Sequence, residues 1–227
     1  MQTPSTYNGL RLVVITVMFS VMTTSFHIFT HDYAFAESEP NRRLSAEIIV
    51  IKADLEKIID SDLSLKHKKG KKERIKGGLA FLPLLIREAW DGLSPKPSYE
   101  LEIIKKIQSA LDTSDYDLMN KELNQLLEKY PFNTYGLIPS DGRPLALKRS
   151  EKLHTTFCAR CHDKPDTSVS RPAWNLFQLS KRITPRELAA RIIIGVRGDN
   201  LTGLENPLRN SEISALIAYY IKNSHNF

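Results

Sequence analysis

Two thiols and an imidazole stand together in Cys158-Ala-Arg-Cys161-His162, and these are the only two cysteines of the 227-residue chain. Thiols separated by two residues can close or exchange a disulfide, contribute to a four-donor zinc site, or add as thioethers across the two vinyl groups of a haem. The third chemistry requires this order. The two-residue gap matches the spacing of the vinyls, and a histidine directly after the second thiol offers an imidazole nitrogen to the iron as proximal ligand. Dithiol exchange places its cysteines at the start of a helix after a strand, and no strand signal precedes them here. Zinc needs four donors, yet beyond residue 36 the other histidines are His67, His154 and His225, with no further cysteine. A plain disulfide is a remaining alternative. The pattern reads as covalent attachment of one haem c through Cys158 and Cys161, with His162 as axial ligand of its iron.

Attachment of this kind takes place after export, and the N-terminus reads as an export signal. Arg11 is the only Lys or Arg before Arg42, and the following LVVITVMFSVM (12–22) is apolar except for Thr16 and Ser20. Ala-Phe-Ala at 34–36 has the small-x-small pattern that signal peptidase reads. Cleavage after Ala36 makes 1–36 a signal peptide and Glu37 the new first residue. The competing reading is an uncleaved anchor at 12–29, close to the minimum length that spans a bilayer, although Ser, Thr and His dilute its second half. The expected location is the periplasm or another exported compartment, with membrane contact only through such an anchor.

The formal net charge is +6, and loss of 1–36 removes Arg11 and Asp32, leaving it at +6. A basic surface favours acidic partners, here redox partner proteins. Seven of its cations fall in KHKKGKKERIK (66–76), which reads either as a docking patch for an acidic protein or anionic lipid, or as a solvated loop between helices. Nucleic acid is not an expected partner, because the chain is exported and its basic run has no interleaved aromatics.

Helical periodicity dominates the rest of the chain. Leu44, Ile48, Ile51, Leu55 and Ile58 recur at spacings of 4, 3, 4 and 3, one apolar stripe. After the basic interruption a second helix fits 72–91, kinked at Pro83, with Phe81 and Trp90 in the core. A third fits 98–111 and a fourth 115–129, the latter capped from Asp-Thr-Ser-Asp. These make a helical bundle of 43–130. Three prolines and two glycines in 130–147 mark a linker, placed at 131–145. Beyond it come a helix running into the cysteines, a helix capped by Thr184 with Pro185 at its first position, and a last amphipathic helix capped by Asn210 or Ser211. The expected fold is all-α: an N-terminal bundle followed by a haem domain.

Residues 146–227 resemble a class I c-type cytochrome domain. The resemblance rests on the Cys158–His162 motif, on the helix leading into it, on Pro172 ten residues after His162, and on Leu-Ile-Ala-Tyr-Tyr (216–220) in the last helix. It implies that the carbonyl of Pro172 accepts a hydrogen bond from the proximal imidazole, and that 216–220 pack on the first helix of the domain. Trp174 is then placed to touch a haem propionate or to fill the core. The bundle lies outside the resemblance.

The family usually supplies a sixth ligand from a methionine before the last helix. The corresponding GVRGDNLTGLENPLRNSEIS (195–214) has none, and Leu201 or Leu204 stands in that neighbourhood. The chain's methionines are Met1, Met18, Met22 and Met119. An open or weakly ligated iron competes with ligation by His225, by His154, by Met119, or by a lysine, asparagine or partner residue. The resemblance implies one-electron transfer rather than catalysis. Alternatives are binding of nitric oxide or carbon monoxide, or peroxide reduction, with Asp199 and Glu205 as the acids of the distal loop, or a haem subunit of a larger redox complex.

Overall fold

The computed structural model describes residues 39–60, 63–90, 92–139, 144–196 and 206–224. Residues 1–36, read above as an export signal, and Leu201, Leu204, Asp199, Glu205 and His225 lie outside the described residues. Every regular element among them is a helix, so the all-α expectation stands. The helices are α1 (Glu39–Asp60), α2 (Leu65–Ala89), α3 (Ser98–Thr113), α4 (Tyr116–Lys129), α5 (Pro144–Phe157), α6 (Ala159–His162), α7 (Leu176–Leu179), α8 (Pro185–Gly195) and α9 (Asn210–Asn223). None of the described helices is long and apolar enough to cross a membrane.

The helix boundaries follow local chemistry. Asp115 caps α4 by accepting the Leu118 N–H at 3.0 Å, and Thr184 caps α8 by accepting that of Glu187 at 3.1 Å. The last helix starts one residue earlier than its polar residues suggest. Arg209 is the residue before it, and Glu212 reaches back to the Arg209 N–H at 3.0 Å. The chain leaves α3 through Ser114 at φ 59°, which turns it at once into α4.

The basic run 66–76 is not an interruption. It forms the first half of α2, which starts at Leu65 and continues through Pro83 to Ala89. Lysine and arginine are good helix formers, but they carry no apolar stripe, so the periodicity conceals this half. Pro83 cannot donate to the Leu79 carbonyl four residues back; Gln108 Nε2 of α3 approaches that carbonyl at 3.4 Å instead. Trp90 is not core: it lies just past the helix, over a third exposed, donating its indole N–H to the Ser94 carbonyl. Phe81 is partly buried against the bundle core.

Two apolar clusters organise the molecule, and α1 belongs to both. The expected stripe of Leu44, Ile48, Ile51, Leu55 and Ile58 packs with Leu79, Leu82, Ile103, Ile107, Leu123 and Leu126 of α2 to α4. On its other side Ala46, Ile49 and Val50 join Phe177, Leu188, Ile193, Leu216 and Tyr220. A helix apolar on two faces is a buried helix, and α1 packs on α2 and also on α8. The helices thus form one compact unit, and the segment read as a linker contributes Phe132 and Leu137 to the second cluster.

An ionic cluster joins the same three helices. The Asp54 carboxylate of α1, 1% exposed, meets Lys71 Nζ at 2.9 Å, Arg74 Nε at 3.5 Å and Arg191 Nη2 at 2.7 Å. Glu187 bridges Arg191 and Lys57, each at 2.8 Å. Burial pushes the Asp54 carboxyl up, but Arg191, Lys71 and Arg74 outweigh it and hold the group below the ordinary aspartate range.

Close approach of α2 to the loop after the cysteine motif depends on Gly70. A Cβ there would overlap the Ser170 carbonyl oxygen and lie 2.7 Å from its carbon. Gly70→Ala is therefore expected to lower the melting temperature by several degrees, corresponding to an overpacking cost of about 1–3 kcal/mol. This outweighs the gain of up to ~1 kcal/mol from alanine's helix propensity. Circular-dichroism melts check it; a rise would mean that the loop does not pack there.

Candidate functional site

The cysteine motif is built as one helical turn at the end of α5. The Cys158 N–H donates to the His154 carbonyl at 2.8 Å, and the N–H groups of Cys161 and His162 both donate to the Cys158 carbonyl, at 3.2 and 3.0 Å. Both cysteines carry free thiols, Cys158 buried and Cys161 exposed, as is Arg160 between them. His162 is half-buried.

The His162 ring is oriented by one decisive hydrogen bond. Its Nδ1 lies 2.6 Å from the backbone carbonyl of Trp174. A carbonyl oxygen only accepts, so Nδ1 carries the proton and Nε2 keeps a lone pair for a metal. The accepting carbonyl belongs to Trp174, two residues beyond the expected Pro172, in the irregular segment before α7. Trp174 itself is 36% exposed rather than core, with the Arg182 guanidinium 5.8 Å from its ring centroid.

Behind the motif runs a chain of polar groups that leads from the exposed Asp163 inward to Tyr220. His154 is buried against Phe177, Tyr219 and Tyr220 and joins α5 to α9. Asp163 Oδ1 takes the His154 Nε2–H at 2.9 Å, and His154 Nδ1 lies 3.1 Å from the Tyr220 hydroxyl. That hydroxyl also hydrogen-bonds the Cys158 thiol. Burial pushes the thiol up, and pushes the Tyr220 phenol up still further, so both stay protonated at neutral pH. Both nitrogens of His154 are engaged, which removes it as an iron ligand in this arrangement. Met119 is fully buried in the bundle cluster and does not line the cavity described next.

Cys158, His162 and Trp174 open onto a cavity of about 630 Å³, within the range of roughly 300–1,000 Å³ that small-molecule and cofactor sites occupy. Leu176, Leu188, Ile192 and Val196 form its apolar wall from the C-terminal part of the chain. The bundle supplies the rest, with Glu47 and Val50 from α1 and Glu73, Arg74, Gly77 and Phe81 from α2. Gly78 packs α2 onto α1, where a Cβ would lie 3.0 Å from Ile51 Cδ1. At Gly77, by contrast, nothing lies within 4 Å of where a Cβ would stand.

Comparison with known proteins adds nothing to this geometry: no family model, no curated protein and no solved structure matches the chain.

Sequence reasoning found the three motif residues but missed the contribution of the bundle to the cavity. Gly77-Gly78 was the available signal, since paired glycines within a helix mark a close approach or an open wall. Among the described residues no group of three or more His, Cys, Asp or Glu is gathered to hold a metal ion by side chains alone. Of the side chains lining the cavity, His162 offers an imidazole nitrogen, Nε2, that the Trp174 carbonyl does not engage.

Proposed function

We propose that the protein is an exported monohaem c-type cytochrome that carries out one-electron transfer. The observation that carries this reading is the His162–Trp174 hydrogen bond, which leaves Nε2 as a donor while His162 and Cys158 both line a cavity of cofactor size. Three further features fit a haem. Gly77 leaves open space along one wall, Arg74 Nη1 is buried without a hydrogen-bond partner, and Leu176, Leu188, Ile192 and Val196 make another wall aliphatic. Cys158 and Cys161 would hold the group covalently and His162 would ligate its iron. Bound there, haem supplies reversible exchange of one electron between ferric and ferrous iron.

The protein's own residues then have definite tasks. Tyr220 orients the Cys158 thiol, and the single turn of α6 fixes the spacing to Cys161. The Trp174 carbonyl holds His162 in the Nδ1–H tautomer and makes Nε2 more basic, which favours ferric iron. Leu176, Leu188, Ile192 and Val196 exclude water and so limit the solvent reorganisation that a charge change requires.

His154 and Met119 are both committed elsewhere, which favours an open or weakly held sixth position. Carbon monoxide is then expected to shift the spectrum of the reduced protein at neutral pH, and the oxidised protein should lack the near-infrared band of sulfur-to-iron charge transfer. A low-spin spectrum that carbon monoxide leaves unchanged would exclude the open site and leave electron transfer alone. Absence of any reversible one-electron couple would exclude the cytochrome reading.

A further inference from the structure

The cavity beside His162 adjoins a second one, of about 260 Å³, and the residues that line both are Arg74, Arg171, Pro172, Ala173, Trp174 and Arg191. Three guanidinium groups meet at this junction and no carboxylate does. The smaller cavity adds the ion-paired Lys71 and Asp54, whose charges offset, so the three arginines set the cationic character of its lining. Arg191 is already used, with Nη2 on Asp54 and on Glu187. Arg74 is used only in part. Its Nε faces Asp54 at 3.5 Å and its Nη2 donates to Glu47 at 3.1 Å, while its Nη1 is buried and has no hydrogen-bond partner. A buried guanidinium N–H left unpaired is costly. The chemistry that would satisfy it is a carboxylate, which arginine binds through paired N–H donors.

We propose that α2 of the N-terminal bundle is a working wall of the cofactor site, with Arg74 binding a haem propionate at the cavity junction and Gly77 keeping the wall open beside it. This rests on the haem reading above. It gives the bundle a role that does not depend on any docking partner. The macrocycle is shared between the two apolar clusters, and the Asp54 cluster, through Arg74, ties helix packing to the charge at the haem edge. Arg74 is thus a positioning and potential-setting residue, not an iron ligand.

The experiment uses the full exported chain, matured with haem attachment, as R74Q, R74K and K76Q. Lys76 is an exposed residue of the same helix. Covalent haem is first scored by haem stain after denaturing electrophoresis, and its absence from the wild type would overturn the cytochrome reading itself. With haem attached, the midpoint potential is expected to fall in R74Q, where a cation near the iron is lost, and to stay near wild type in R74K. The propionate bending bands in resonance Raman should shift in both Arg74 variants and not in K76Q. Should R74Q not fold, the bands of R74K decide alone, since lysine keeps the charge but not the paired donors. Haem-bearing Arg74 variants with unchanged propionate bands would overturn the inference and leave the proposed function standing.

Discussion

Exchanging Cys158 and Cys161 together for alanine is expected to abolish covalent haem, so that matured protein loses its colour on denaturing electrophoresis and its mass lacks one haem. Wild-type protein should keep both. The two thiols are not equivalent in the fold. Cys158 is buried, protonated and hydrogen-bonded to Tyr220, whereas Cys161 is exposed. C161A is therefore expected to retain a single thioether, because the oriented thiol remains. The double variant should keep the helical signal of the bundle, since Leu44, Ile48, Leu79, Ile107 and Leu123 form a buried cluster that does not include either cysteine. Haem still bound through a denaturing gel in the double variant would defeat the assignment. Colour lost from the wild type would defeat it equally.

Asp54→Ala is expected to be the most damaging single substitution outside the motif, at about 3–5 kcal/mol, because it strands buried cations that share one carboxylate. Lys71, Arg74 and Arg191 come from two different helices, and Asp54 on a third is the group they have in common. The effect should show as a lower urea midpoint, with loss of packing between the bundle and α8. Its pH dependence has a definite sign. The folded-state pKa of Asp54 lies below its ordinary value of 3.8, so the unfolded chain takes up a proton first as pH falls. The contribution of Asp54 is fully present above about pH 4 and is lost as pH drops through the lower, folded value. Wild type should thus lose stability steeply below pH 4, and D54A should show a shallower loss over the same interval. Parallel pH profiles would mean that Asp54 is not ionised in the folded protein.

Much of this architecture was legible because helices announce themselves locally. The spacing of Leu44 to Ile58, the cap at Asp115 and the Thr184-Pro185 start of α8 are each written within one or two turns of chain, and each is where it was expected. The basic half of α2 escaped because its charged residues carry no apolar period. Lys71 and Arg74 pair with Asp54 and Glu47 on α1, and no local pattern within α2 reveals carboxylates on another helix. Trp90 was misplaced for the opposite reason: a large apolar ring suggested core, but its indole N–H finds the Ser94 carbonyl outside the helix.

The motif at 158–162 was legible by itself, since its chemistry depends on residue order and spacing that the sequence states outright. What surrounds it was not. That Trp174, and not Pro172, holds the His162 ring depends on how the chain bends between residues 163 and 176. That the bundle and the C-terminal helices share one structure was half-visible in Glu-Ile-Ile-Val-Ile at 47–51, an apolar run too long for a single face. One stripe of α1 could be counted from periodicity; that the second stripe of Ala46, Ile49 and Val50 buries against α8 required the two ends of the chain to be brought together. Sequence alone determined most of the helices and the order and spacing of Cys158, Cys161 and His162, because covalent order and the helical repeat act over a few residues. Only the tertiary structure decided that Arg74 and Gly77 line the same cavity, because burial and charge pairing are properties of neighbours in space.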